Sequence, residues 1–287
     1  MLKTAADGWR PGWDFAGILR SDVEHGPRAG ARVVGIRRGG SWAEQVAVHE
    51  GWIAELPDEV SFAQGAALPT AGLAALRMLR MGPSILGRRV LVTGASGGVG
   101  RFAIQLAHLG GAEQTVIAER ISQGYFVDAQ LDLERMAEHG VAVEEALPTV
   151  RFALGADNVV SDVDQLRGRF DLILESVGGD TLGRLVTQVD AQGTLIMFGN
   201  SSDEPTTFNV RDVYNDALVR LQGFELFFGG DPFGRDLGYL ASLVADGKID
   251  PQLGAELPWE EITEAMDRLQ DRDVAGKVAL TLGEPAG

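Results

Sequence analysis

Eleven consecutive residues constrain this chain more than any other stretch: Val90-Leu91-Val92-Thr93-Gly94-Ala95-Ser96-Gly97-Gly98-Val99-Gly100. A short, apolar, β-branched run leads into glycines at 94, 97 and 100. Residues 101–109 then carry Phe102, Ile104, Leu106 and Leu109 at helical spacing. A strand, a glycine loop and a helix in that order form the phosphate end of a βαβ unit. The tight turn, the approach of a pyrophosphate to backbone and the close helix–strand packing each favour a residue without a side chain. The first N–H groups of the helix then face the diphosphate. The spacing is G-x-x-G-x-x-G, and Ala95 holds the first glycine position of the G-x-G-x-x-G pattern. A plain glycine turn is the alternative reading.

The alternation of strand and helix continues after the loop. Residues 115–118, 159–160, 170–174 and 194–198 read as further strands, apolar throughout as parallel strands covered on both faces are. An acid at the end of the second strand suits a ribose 2′-hydroxyl, whereas an arginine suits a 2′-phosphate. Glu119 and Arg120 offer both, so the residues leave NAD(H) and NADP(H) open; either side chain is otherwise a solvated loop residue. Within the long connection 119–154, residues 132–139 read as a helix. Ahead of the loop, residues 32–36 and 42–48 are β-rich runs separated by the turn Arg38-Gly39-Gly40. Ser61 is set to cap a helix starting at Phe62, and residues 70–81 form an Ala- and Leu-rich helix. Residues 221–228 are apolar and β-prone, either an edge strand pairing across a homodimer or a core strand. A helix over 259–270 and a strand over 277–282 close the chain.

Forty-one acidic residues against 25 basic ones give a formal charge of −16, which disfavours nucleic acid and anionic membrane as partners. There is no cysteine, hence no disulfide, no thiolate nucleophile and no cysteine-ligated metal. His25, His49, His108 and His139 are scattered without metal-like spacing. Asp14 is expected to serve the fold, and nothing in the sequence brings Tyr125 or Tyr214 to a site. The opening residues do not resemble a signal peptide, and no apolar run reaches the ~18 residues of a membrane span. The expectation is a soluble, cytoplasmic protein acting on a small molecule.

Several stretches together resemble the zinc-independent quinone oxidoreductase branch of the medium-chain dehydrogenase/reductase superfamily. They are Pro11-Gly12-Trp13-Asp14-Phe15-Ala16-Gly17, Ala66-Ala67-Leu68-Pro69-Thr70-Ala71-Gly72-Leu73-Ala74-Ala75 and the glycine loop, then Leu154-Gly155-Ala156-Asp157, Glu175-Ser176-Val177-Gly178-Gly179, Phe198-Gly199 and Gly276-Lys277-Val278. The resemblance implies an α/β protein of two domains. A doubly wound Rossmann domain over 70–228 would bind the dinucleotide. A GroES-like β-barrel domain would come from 1–69 and 229–287. The Pro-Gly-Trp-Asp motif stands closer to the start than in the family, so this barrel is expected to be incomplete, lacking its first strands. The connection 119–154 is longer than the family's.

The same resemblance implies site residues. Gly97, Gly98 and Val99 would contact the diphosphate within the loop Gly94–Gly100, which includes Ser96. Ser176 and Val177 would approach the ribose and nicotinamide, Gly199 and Asn200 the carboxamide, and Thr70 would lie near the nicotinamide. For Ser176 and Asn200 ordinary turn chemistry is the alternative. The implied activity is metal-free hydride transfer to a quinone, enone or other electron-poor alkene, with NADP(H) favoured over NAD(H), no zinc and no assignable catalytic residue. A cofactor-binding pseudoenzyme or redox sensor, and a non-redox lyase or cyclase on the same fold, are the alternatives.

Overall fold

The computed structural model describes residues 10–24, 26–95, 97–117, 156–160, 162–214, 218–230, 232–271, 274 and 276–283. Ser96, Glu119, Arg120, His25, Tyr125, His139 and the expected helix over 132–139 lie outside them. The chain divides into two compact units. The first comprises Met1–Leu73, Leu226–Leu269 and Lys277–Gly287, the second Ala74–Glu225 and Gln270–Gly276.

In the first unit, β1 (Asp14–Ile18), β2 (Arg32–Ile36) and β3 (Ile53–Glu55) form an antiparallel sheet in that order. Phe15 stands opposite Gly35 across β1 and β2, and a Cβ on Gly35 would strike the Phe15 ring, so the missing side chain is what lets that ring lie flat across the pair. Helix α1 (Phe62–Ala67) packs on β1 and is fixed at its start by a capping box. The Gln64 N–H donates to Ser61 Oγ at 3.1 Å and the Ser61 N–H to Gln64 Oε1 at 2.9 Å, as the sequence led us to expect of Ser61. Helix α2 (Pro69–Met81) follows at once, with proline at its first position, where a missing N–H costs nothing.

The β-rich run 42–48 is not a strand. Among the described residues, the N–H groups that pair across here are those of Ser41 and Trp42, which donate to Gly12 and Pro11.

The second unit is built on a six-stranded, wholly parallel sheet. Its strands are β4 (Arg89–Thr93), β5 (Glu113–Ile117), β6 (Asn158–Val160), β7 (Phe170–Glu175), β8 (Val189–Met197) and β9 (Arg220–Gly223). Their order is β6-β5-β4-β7-β8-β9, so the direction of winding reverses between β4 and β7. This is the doubly wound arrangement that the sequence pattern and the resemblance implied. Val90, Leu91, Val92, Leu172, Ile173, Leu174, Leu195 and Ile196 are all fully buried, which is why these strands read as unbroken apolar runs. Helix α3 (Gly98–Leu109) follows the glycine loop, α4 (Gly179–Leu185) follows β7, and α5 (Arg211–Tyr214) precedes β9.

The apolar run 221–228 is strand only as far as Gly223, at the sheet edge. Its second half turns back into the first unit, where Phe227 joins an aromatic cluster with Trp13 (5.4 Å between ring centroids), Trp52 (5.8 Å) and Phe233 (5.6 Å). Burial of that ring competes with strand continuation and wins. The first unit is completed by α6 (Gly234–Ala245), β10 (Leu253–Pro258), α7 (Ile262–Gln270, reached through a 3₁₀ turn at Trp259–Glu261) and β11 (Lys277–Thr281), which pairs parallel with β10. No helix among the described residues is long and apolar enough to cross a membrane.

Candidate functional site

Ligands of open α/β sheets lie beyond the carboxyl ends of the strands, where the winding reverses. Here that point is flanked by the loops after β4 and β7, and the loop after β8 lies against the second of these. Gly94 turns the chain at φ +57°, and a Cβ there would strike Ser176 Oγ. Gly97 is the N-cap of α3 in extended conformation and supplies no side-chain cap. The first N–H in the helix to find a backbone partner is that of Arg101, which donates to Gly97 O at 3.0 Å. The N–H groups of Gly98, Val99 and Gly100 therefore form the open donor end of the helix, the arrangement that binds an anion. Gly100 meets the third requirement of the motif. A Cβ on it would strike the Gly94 carbonyl and come within 2.8 Å of Ala95 Cα, so only glycine lets the helix approach the loop this closely.

The turn after β7 is tied to both neighbours. The Ser176 N–H donates to Thr93 Oγ1 at 2.9 Å, and the Ser176 hydroxyl points to the Thr93 carbonyl at 3.4 Å. The Ser201 and Ser202 N–H groups donate to the carbonyls of Ser176 (3.0 Å) and Val177 (2.8 Å). Gly199 lies so close that a Cβ would fall 2.9 Å from Ser176 O, and a Cβ on Gly178 would strike Asn200 Oδ1. The structure thus brings together Gly94, Gly97, Gly98, Val99, Gly100, Ser176, Val177, Gly199 and Asn200.

Thr70 belongs to the first unit, where its N–H (3.1 Å) and its hydroxyl both donate to Asp14 Oδ1. Asp14 therefore serves as an acceptor for the first turn of α2, whose dipole favours a negative charge at that end. Burial pushes its carboxyl above the usual range, against the opposing effects of Lys277 and of the two Thr70 hydrogen bonds.

Sequence reasoning overlooked Glu175. It is fully buried at the end of β7, and its Oε1 accepts from the Val177 N–H at 2.7 Å and the Gly178 N–H at 3.1 Å. Burial raises its pKa, while these bonds and the Thr93 hydroxyl oppose the rise. The available signal was an acid ending an apolar strand directly before Ser-Val-Gly-Gly.

Residues 154–280 match the family described as zinc-binding dehydrogenase. The chain is 27% identical over 98% of its length to part of a highly reducing polyketide synthase of Emericella nidulans, of which it spans 11%. It is 26% identical over 94% of its length to the 2-methylene-furan-3-one reductase of Solanum lycopersicum, of which it spans 63%. Among solved structures, the quinone oxidoreductase of Coxiella burnetii superposes with a TM-score of 0.69 at 25% identity, covering 94% of this chain and 78% of that one.

Two bound groups come into question, the dinucleotide expected from the sequence and the zinc that the family description names. A nicotinamide dinucleotide fits the residues present, because the N–H groups of Gly98, Val99 and Gly100 at the start of α3 could take its diphosphate. For zinc, the chain has no cysteine to serve as a ligand, and among the described residues no group of three or more His, Asp or Glu could hold an ion.

Proposed function

We propose that the chain is an oxidoreductase of the medium-chain dehydrogenase/reductase superfamily, in its quinone oxidoreductase-like branch, that binds a nicotinamide dinucleotide, NADP(H) in preference to NAD(H). Its acceptor would be a small quinone, enone or other electron-poor alkene, reduced without a metal. The observation that carries this reading is the open end of α3 beneath a loop in which Gly94 and Gly100 admit no side chain. When bound, the reduced cofactor supplies the hydride. The chain's own part is to hold the diphosphate on the N–H groups of Gly98, Val99 and Gly100, and to orient the far half of the ligand by Ser176, Val177, Gly199 and Asn200. We extend the proposal to the architecture and setting. The first unit is a GroES-like domain, the protein acts in the cytoplasm, and copies pair through the outer edge of β9.

The test is a fluorescence titration with NADPH and NADH, followed by a quinone and enone panel at the nicotinamide absorbance. Binding with oxidation is the expected result, and the two titrations rank the cofactors. Tight binding without turnover across the panel would favour a redox sensor instead. Conversion of a substrate with no change in nicotinamide absorbance would favour a lyase or cyclase. Failure to bind either dinucleotide would end the proposal.

A further inference from the structure

Among the described residues of the second unit, Glu175 is the one fully buried carboxyl. Burying it is costly unless its lone pairs are used. Here they are used on backbone: Oε1 takes the Val177 N–H at 2.7 Å and the Gly178 N–H at 3.1 Å, with Oε2 also 3.2 Å from the latter. Thr93 completes the arrangement. Its hydroxyl lies 3.4 Å from Glu175 Oε1 and accepts the Ser176 N–H at 2.9 Å. Three successive N–H groups after β7 thus point into the protein. The Ser176 and Val177 carbonyls are taken by Ser201 and Ser202. The side-chain groups that these two turns present are the Ser176 hydroxyl, 3.4 Å from the Thr93 carbonyl, and the Asn200 carboxamide, whose Oδ1 accepts from the Ser202 hydroxyl at 3.1 Å.

Thr93 ends β4 and Glu175 ends β7, so the pair bridges the point where the winding reverses. In a doubly wound sheet each half binds one mononucleotide. The loops of the β4, β5 and β6 half take the adenosine side, and those of the β7, β8 and β9 half take the other. We infer that Glu175 and Thr93 are positioning residues for the nicotinamide half of the cofactor: without touching it, they lock the 176–178 turn so that Ser176 and Asn200 meet it in one geometry. This rests on the dinucleotide reading proposed above. A glutamine at 175 would keep the shape but lose the charge, and it would set an amide donor against one of the N–H groups the carboxylate now accepts. A valine at 93 would keep the shape and lose both roles of the hydroxyl.

The experiment compares Glu175→Gln, Thr93→Val and Thr93→Ser with the parent chain. The probes are the preferred dinucleotide and the matching ADP-ribose, which lacks nicotinamide. Loss of a charge-assisted contact should raise the dinucleotide Kd about tenfold or more in Glu175→Gln and Thr93→Val. ADP-ribose should bind all variants as it binds the parent, and Thr93→Ser should bind the dinucleotide as the parent does. Equal weakening toward both probes, or toward neither, would overturn the inference. If Glu175→Gln does not fold, the two Thr93 variants decide by the same criterion. If none of the three folds, the residues are core supports and the inference is wrong. A parent chain that binds neither probe would instead show the failure of the dinucleotide reading itself.

Discussion

At the scale of single residues, glycine and carboxylate positions carry the most information. Gly100→Ala would drive a methyl group into the Gly94 carbonyl and Ala95. Relief must come from tilting α3 away from the loop, so dinucleotide affinity should fall at least about tenfold, since misplaced donors lose charge-assisted hydrogen bonds. Titration of the purified variant measures this, and unchanged affinity would disprove the close-approach argument. Asp14 gives a pH signature. Its folded pKa is raised, so between its ordinary value of 3.8 and that raised value the folded chain holds a proton that the unfolded chain has lost. Its stabilising contribution is therefore complete below the ordinary value and declines as pH rises through the folded one. The stability of the parent relative to Asp14→Asn should fall with pH across this window in urea unfolding, and a difference that grows with pH would contradict it. The glycines were legible in the sequence because their spacing is tied to backbone geometry. Glu175 was not, since a strand-terminal acid is usually solvated and only its burial reveals a partner.

At the scale of elements, legibility followed burial. The strands β4, β7 and β8 are covered on both faces and announce themselves as apolar runs, whereas β10 alternates between half-buried and exposed residues and ends in proline. Its partner β11 follows some twenty residues later in the sequence, so no local pattern pairs them. The run 42–48 misled for the converse reason: its composition suits a strand, but among the described residues it has no neighbour to complete a ladder beyond Trp42. Helix starts were more readable, because a cap is a local device. Ser61→Ala removes the acceptor for the Gln64 N–H and should destabilise the first unit by about 1 kcal/mol, with no effect on dinucleotide affinity. Chemical denaturation and titration together check both halves of that statement.

At the scale of the whole molecule, the formal charge of −16 sets how an anionic ligand arrives. At low salt the global field repels it, and the Debye length shrinks from about 30 Å at 0.01 M to about 8 Å at 0.15 M. The association rate of NADPH should therefore rise with ionic strength in stopped-flow measurements. A falling rate would mean that the donors at the start of α3 dominate at long range. The same charge opposes self-association, so the proposed pairing through β9 would have to be driven by strand edge and apolar contact, with Val210, Tyr214 and Leu218 exposed nearby in sequence. Light scattering should give the mass of a dimer at both low and moderate salt, and a monomer at every concentration would refute that assembly.

The pairing of β10 with β11 also bears on how the chain is made. Every strand of the six-stranded sheet has been synthesised by Gly223, but the first unit lacks β11 until Thr281. At about 5–20 residues per second, a ribosome needs about 3–12 s to cover that distance. During that interval α1, which packs against both β1 and β11, lacks the second of these contacts. The part of the chain translated first is thus completed last, after every strand of the six-stranded sheet has been made.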